Sequence, residues 1–322
     1  MKNKVKMPIL LEKRMALSHP QNYDCPMTTT TTTVPAGRAP LLLPALLACY
    51  LVWGSTYYAI HIALESLPPF IQMGSRFLVA GSLLMAWVMA RGGTWPGRKQ
   101  WRNAAIVGGL MLGGGMGSVA TGQQFIGSGL VAAFIAITPM LVSGWGLLFG
   151  QRPTRLEVAG MVVGLVGVLL LVRGASFSAA PFGLACIAMA TLCWSLGSVL
   201  STTRLPLAPG AAGFASEMLC GGAILTMLSL VMGEQVRWPV TPQAGAAWLY
   251  LVVFGSLVAF SAYLYLLANA SPALATSYAF VNPLIALWLG VALANERVTG
   301  PEWVACGVIL GGVLLIFRGK RQ

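Results

Sequence analysis

Charge is what this sequence has least of. Only 9% of its 322 residues are Asp, Glu, Lys or Arg, against about a quarter in an ordinary soluble domain, and that scarcity excludes a soluble enzyme. Acids are rarest: among the eight carboxylates Asp24 is the sole aspartate, so no aspartyl dyad can form. The two histidines are His19, near the start, and His61, near one end of an apolar run. Neither completes an HExxH zinc motif nor serves as a deep base for a serine nucleophile, and Gly127-Ser128-Gly129 alone is a weak signal. Six cysteines (Cys25, Cys49, Cys186, Cys193, Cys220, Cys306) show no paired or metal-type spacing. Five lie in apolar runs, where a thiol behaves as a small hydrophobe. No disulfide framework, metal site, cofactor or enzymatic activity is expected.

What is plentiful is apolar: 57% of the chain. Such a chain is sized by bilayer spans of about 20 residues. Ten uncharged runs qualify, at 41–62, 69–90, 104–121, 127–149 and 157–173, then at 181–202, 211–232, 245–267, 273–294 and 302–317. The expectation is an all-α polytopic membrane protein of ten transmembrane helices with the lipid bilayer as its surroundings.

The net charge of +12 follows the spans. Basic residues cluster in residues 1–40, between Arg91 and Arg102, and in the last five residues, at segment ends rather than on a nucleic-acid face. Sixteen of the twenty fall on one side of the ten-span arrangement, and three, Arg173, Arg237 and Arg297, on the other. Cytoplasmic loops hold the basic excess, so both termini are expected in the cytoplasm. Residues 1–40, with a threonine run from Thr28 to Thr33, are expected to be a disordered cytoplasmic segment. Met27, directly before that run, is a second candidate start, which would make residues 1–26 a start-site artefact.

The chain repeats itself. At an offset of 145, Arg152 matches Arg297, Glu157 matches Glu302 and Gly167 matches Gly312, within eleven identities over 23 aligned positions. At an offset of 141, Trp53 aligns with Trp194, Pro68 with Pro209, Ser75 with Ser216 and Gly81 with Gly222. The repeats, 41–174 and 181–318, each hold five spans, and an odd number inserts the two copies in opposite orientation. Inverted repeats are an architecture of secondary transporters, with the solute site near the midplane between the halves.

At this stage the residues resemble a family. Val52-Trp53-Gly54-Ser55-Thr56-Tyr57, Pro68-Pro69 and Arg76-Phe77 resemble the opening of the EamA type of the drug/metabolite transporter superfamily. Ser271-Pro272-Ala273-Leu274-Ala275-Thr276-Ser277-Tyr278-Ala279-Phe280-Val281-Asn282-Pro283, with Asn295-Glu296-Arg297 after it, is similar to that family's penultimate-span signature. The Glu217-Met218 pair is shared with its YedA-like branch. The resemblance implies ten helices in two inverted five-helix repeats in the inner membrane. It also implies export of amino acids, metabolites or drug-like molecules by alternating access, with the fifth and tenth helices peripheral. One departure stands out: Gly150-Gln151-Arg152 lacks the carboxylate that Glu296 supplies in the second half.

Ionisable residues within spans are functional candidates by default. Arg76 and Glu217 qualify, at equivalent places 141 residues apart. Three roles compete: an ion pair that locks helices, receptors for a zwitterionic solute, or Glu217 as the proton-coupling acid with Arg76 tuning it. Trp53, Thr56 and Tyr57 share one helical face at i, i+3 and i+4. With Trp194, Ser198, Tyr278 and Asn282 they suit a pocket for a small organic solute, although aromatic helix packing would use the same residues. Pro139 and Pro283, each near the middle of a span, mark candidate helix breaks and gating points. The small-residue spacings Gly160-xxx-Gly164 and Gly307-xxx-Gly311 suit helix packing or a homodimer contact through the fifth or tenth span. Import and lipid or amphiphile flipping remain open alternatives to export.

Overall fold

A computed structural model describes residues 41–126, 128–172, 180–294 and 300–319. The segment 1–40, Arg173, Glu296 and Arg297 lie outside these residues. Among the described residues ten helices, two of them interrupted, follow one another: α1 (Leu42–Ala63), α2 (Pro69–Ala90), α3 (Arg98–Gly122), α4 (Ser128–Ile135, then Thr138–Leu147) and α5 (Arg155–Val172). The second five are α6 (Pro181–Thr202), α7 (Ala211–Val231), α8 (Pro242–Asn269), α9 (Pro272–Ala275, then Tyr278–Ala294) and α10 (Gly300–Gly319). Six of them, α1, α2, α3, α6, α7 and α8, are long and apolar enough to cross a bilayer; the others are shorter or interrupted. In lipid the backbone must satisfy its own hydrogen bonds, which is why so apolar a chain is helical.

Local sequence sets the helix ends. Pro69, Pro181 and Pro242 each occupy the first helical position, where the missing N–H costs nothing. Helix α2 closes through Gly92, at φ +74°, with the Gly93 amide bonded back to the Val88 carbonyl at 2.9 Å. Helix α5 opens on a capping box: the Thr154 amide donates to Glu157 Oε2 at 2.8 Å and the Glu157 amide to Thr154 Oγ1 at 3.2 Å.

Packing follows the inverted repeat. Helix α2 lies against α7 and α5 against α10, each helix meeting its own counterpart. Helix α1 meets α8 and α9, while α6 meets α3 and α4, the same relation with the repeats exchanged. The α5–α10 seam is made by glycines: a Cβ added at Gly160 would lie 2.6 Å from the Gly312 carbonyl oxygen, and one at Gly312 would lie 2.6 Å from the Gly164 amide nitrogen. Gly160-xxx-Gly164 is therefore used inside the chain, which removes it as a homodimer contact through the fifth span. Gly307 and Gly311 meet nothing within 4 Å.

One expectation about irregular helices needs correcting. Pro283 lies inside the helix Tyr278–Ala294 and does not break it; α9 is interrupted earlier, at Thr276-Ser277. The Thr276 hydroxyl donates to the Pro272 carbonyl and the Ser277 hydroxyl to the Leu274 carbonyl, both at 2.7 Å, so these side chains compete with the helical ladder where the proline does not. Pro139 does mark a break: α4 is interrupted at Ala136-Ile137 and resumes at Thr138, with Pro139 in its first turn.

Substituting Gly312→Leu is expected to force α5 and α10 apart and to cost roughly 1–3 kcal/mol of stability, read as a lower thermal midpoint in detergent. Gly311→Leu, on the open face of α10, is expected to leave that midpoint unchanged.

Candidate functional site

A narrow cavity of about 50 Å³ lies between the repeats, room for a few water molecules at ~10–15 Å³ each. Helix α1 gives it Trp53, Thr56, Tyr57 and Ile60, and α6 gives it Ala190, Thr191 and Trp194. Gly115, Met116 and Val119 of α3, Ile135 and Thr138 at the break in α4, and Tyr278 after the break in α9 complete the wall. At 1.5 Å per residue, Ile60 and Val119 stand about 5 Å from the ends of their helices and Trp194 about 20 Å from the start of its own. The cavity thus occupies the half of the bundle nearer the α1–α2 loop.

Irregular backbone stands in and behind part of this wall. Helix α3 widens into π-helical turns over Gly109–Met116, and α8 does the same over Leu251–Val258. These stretches stand at matching places in the two repeats, and π-helical turns often accompany functional sites. Each faces the first helix of the other repeat. Trp53 Nε1 donates to the Gly255 carbonyl at 3.2 Å, and a Cβ at Gly115 would lie 3.3 Å from Trp194 Cε3. A side chain at Gly115 would press on that indole and require it to shift by a few tenths of an ångström.

Below the cavity an aromatic cluster closes the other half. The Trp53 ring centroid lies 4.6 Å from that of Tyr278, 5.1 Å from Tyr263 and 5.5 Å from Trp194. Trp194 Nε1 donates to the Tyr263 hydroxyl at 3.2 Å, and that hydroxyl shares a 2.8 Å bond with Ser198 Oγ. Further toward the α2–α3 end, Tyr50 and Ser277 are joined through their hydroxyls at 2.7 Å, tying α1 to α9.

Of the expected site residues, Trp53, Thr56, Tyr57, Trp194 and Tyr278 come together on the wall. Ser198 and Asn282 stand one layer behind it, Ser198 on Tyr263 and Asn282 donating through Nδ2 to the Tyr57 hydroxyl at 3.3 Å. Arg76 and Glu217 do not line the cavity, and no ion pair joins them among the described residues. The Arg76 guanidinium is held by α8, with Nε donating to Ser256 Oγ at 3.1 Å, and it lies over the Phe77 ring at 4.5 Å from the centroid. Its Nη1 is buried without a partner. Glu217 is fully buried against α3, both carboxyl oxygens unpartnered, and a Cβ at Gly108 would meet its Cγ at 3.4 Å. The helix-locking ion pair is therefore absent, because each side chain is engaged by a different helix.

Tyr263, at the centre of the ring cluster, and Thr191 on the wall were not among the expected site residues. Glu234 was also missed. From the α7–α8 loop its carboxylate accepts from the Phe70 amide at 3.0 Å and the Ile71 amide at 2.8 Å, capping the N-terminus of α2 across the repeat boundary. The Arg237 amide donates to the Ser66 carbonyl at 2.9 Å in the same place.

Known proteins agree with this architecture. The family model described as the EamA-like transporter family matches residues 41–173 and again 181–318. The inner membrane transporter YedA of Escherichia coli (strain K12) is 40% identical over 87% of this chain and 91% of its own length. A transporter of Archaeoglobus fulgidus is 27% identical over 83% of this chain and 91% of its own. A solved structure superposes with a TM-score of 0.72 over 87% of this chain and 97% of that one at 22% identity, a likeness of fold. The double match over both halves and the identity to YedA carry one conclusion: the chain belongs to the EamA-like family of the drug/metabolite transporter superfamily, and it is a multi-pass inner-membrane transporter of the YedA-like branch.

Proposed function

We propose that this transporter exports small organic solutes from the cytoplasm by alternating access through the cavity between its repeats. The observation that carries this reading is the meeting of Trp53 and Trp194, equivalent residues of the two repeats, on one cavity wall. A site built from equivalent parts of inverted halves is what a rocking mechanism uses. With both termini cytoplasmic, as the basic loops support, the α1–α2 end faces outward and the cavity is on the release side. The ring cluster and the Tyr50–Ser277 bond then separate it from the cytoplasm.

Glu217 is proposed as the proton-coupling acid. An unpartnered carboxyl buried in a helical bundle is costly as an anion, and a proton arriving or leaving as the helices rearrange ties its charge to conformation. Arg76, anchored on α8, takes the role of a positioning residue between α2 and α8. Any homodimer contact falls to α10, where the Gly307-xxx-Gly311 face is free.

Three measurements test this. Ala190→Leu, which fills the cavity without removing a hydrogen bond, is expected to lower efflux from proteoliposomes loaded with a mixed metabolite panel by about tenfold or more, with the thermal midpoint retained; unchanged efflux would place the pathway elsewhere. Glu217→Gln is expected to abolish the pH-gradient dependence of transport while solute exchange without a gradient continues. Full gradient dependence in that variant rules out the coupling role. In a cysteine-free background, Thr94→Cys is expected to be shielded from an impermeant maleimide in intact cells and Gln235→Cys to react, both residues being exposed.

A further inference from the structure

We infer that Tyr50 and Ser277 are positioning residues whose hydrogen bond sets the side on which this transporter rests, because the inverted repeat holds no counterpart of it. This rests on the alternating access proposed above and adds what makes its two closed states unequal.

Tyr50 and Ser277 join α1 to α9 through their hydroxyls at 2.7 Å, in the closed half of the bundle. The Ser277 proton goes to the Leu274 carbonyl, so the Tyr50 hydroxyl is the donor, and the bond crosses from one repeat to the other. Exchanging the conformations of the repeats would bring the counterparts of these two residues together at the opposite end. Tyr50 corresponds to Thr191 at the offset of 141 that aligns Trp53 with Trp194. Ser277 corresponds to a residue of 132–137 at every offset from 140, which aligns the breaks of α9 and α4, to 145, which aligns α10 with α5. That stretch reads Ala132, Ala133, Phe134, Ile135, Ala136, Ile137, and none of its side chains can donate or accept a hydrogen bond.

Thr191 stands on the open cavity wall, with its hydroxyl donating to the Ile187 and Ala188 carbonyls of its own helix. Turning toward α4 would only trade one carbonyl for another. The other hydroxyl pair in the closed half, Tyr263 with Ser198, is balanced. The π-helical stretches begin 142 residues apart, which sets Thr121 against Tyr263, and Tyr57 corresponds to Ser198 at 141. Both counterparts carry hydroxyls, so exchange can rebuild that pair but not the bond of Tyr50 to Ser277. The state closed at the α2–α3 end is therefore favoured by one hydrogen bond, a bias of about fivefold in population. In the orientation proposed above the resting transporter faces outward, and cytoplasmic solute meets only the minority of molecules open to it.

Two cysteines at equivalent places, introduced singly into a cysteine-free full chain in nanodiscs, report the two states by their rate with a small methanethiosulfonate reagent. Ile60→Cys lies on the present cavity wall. Ser201→Cys, its counterpart at the offset of 141, reaches a cavity wall only after exchange. Adding Tyr50→Phe is expected to raise the Ser201→Cys rate relative to the Ile60→Cys rate about fivefold. Ser277→Ala is expected to move the ratio in the same direction, and the double substitution to move it no further than the larger single one, as for two partners in one bond. An unchanged or lowered ratio, both rates rising in step included, overturns the bias and leaves alternating access standing, as does a double substitution whose shift is the product of the two single shifts. Failure of either cysteine to react in any variant overturns alternating access and the bias with it.

Discussion

In a bilayer a backbone amide has no water to turn to, so every departure from the helical ladder must find its hydrogen bonds within the protein. Among the described residues the chain departs from the ladder within helices in four places: the π-helical turns of α3 and α8, and the interruptions of α4 and α9. Those of α3, α4 and α9 adjoin the cavity, and that of α8 stands behind Trp53. The interruptions are closed by tight turns, as where the Ile137 amide bonds to the Phe134 carbonyl at 3.2 Å, and by the Thr276 and Ser277 hydroxyls. The π-helical turn of α8 gives its Gly255 carbonyl to an indole of the other repeat. The site thus pairs the regular helices α1 and α6 with irregular stretches of α3, α4 and α9, and the regular helices α2, α5, α7 and α10 form the surrounding frame.

That frame has its own logic. Glycine lets α5 and α10 touch backbone to backbone, a contact suited to lipid, where apolar side chains gain little by leaving a solvent as apolar as themselves. The loops at the two ends are tied across the repeats as well. Glu234 caps α2 from the second repeat, and at the opposite end Asn103 of α3 donates through Nδ2 to the Pro206 carbonyl at 2.9 Å. Each repeat thus bonds to a loop or helix end of the other.

Much of this was legible in the sequence for a simple reason: where charge is scarce, the positions of the few charges are informative. The spans, the repeat and the i, i+3, i+4 face of Trp53, Thr56 and Tyr57 all follow from period and position. What escaped depended on local backbone geometry. Tyr263 lies just after the π-helical turns of α8, which shift the helical phase and so spoil an inference from regular spacing. Arg76 and Glu217 are equivalent in sequence, but inversion places equivalent residues at opposite depths, and each is engaged by a different neighbour. Pro283 looked like a break because it lacks an N–H, yet the hydroxyls of Thr276 and Ser277 decide where α9 yields.

The two tryptophans are equivalent in sequence but not in posture. Trp53 is moored to the carbonyl of the π-helical turn opposite it, whereas Trp194 leaves the corresponding stretch of α3 and bonds to Tyr263 instead. Exchanging the conformations of two inverted repeats, as alternating access requires, maps α2–α7 and α5–α10 onto themselves and swaps α1–α8 with α6–α3. Under the proposed alternating access the α5–α10 glycine seam would act as a fixed axle, and the moving event would be small: one indole would cast off from its mooring as its twin ties up.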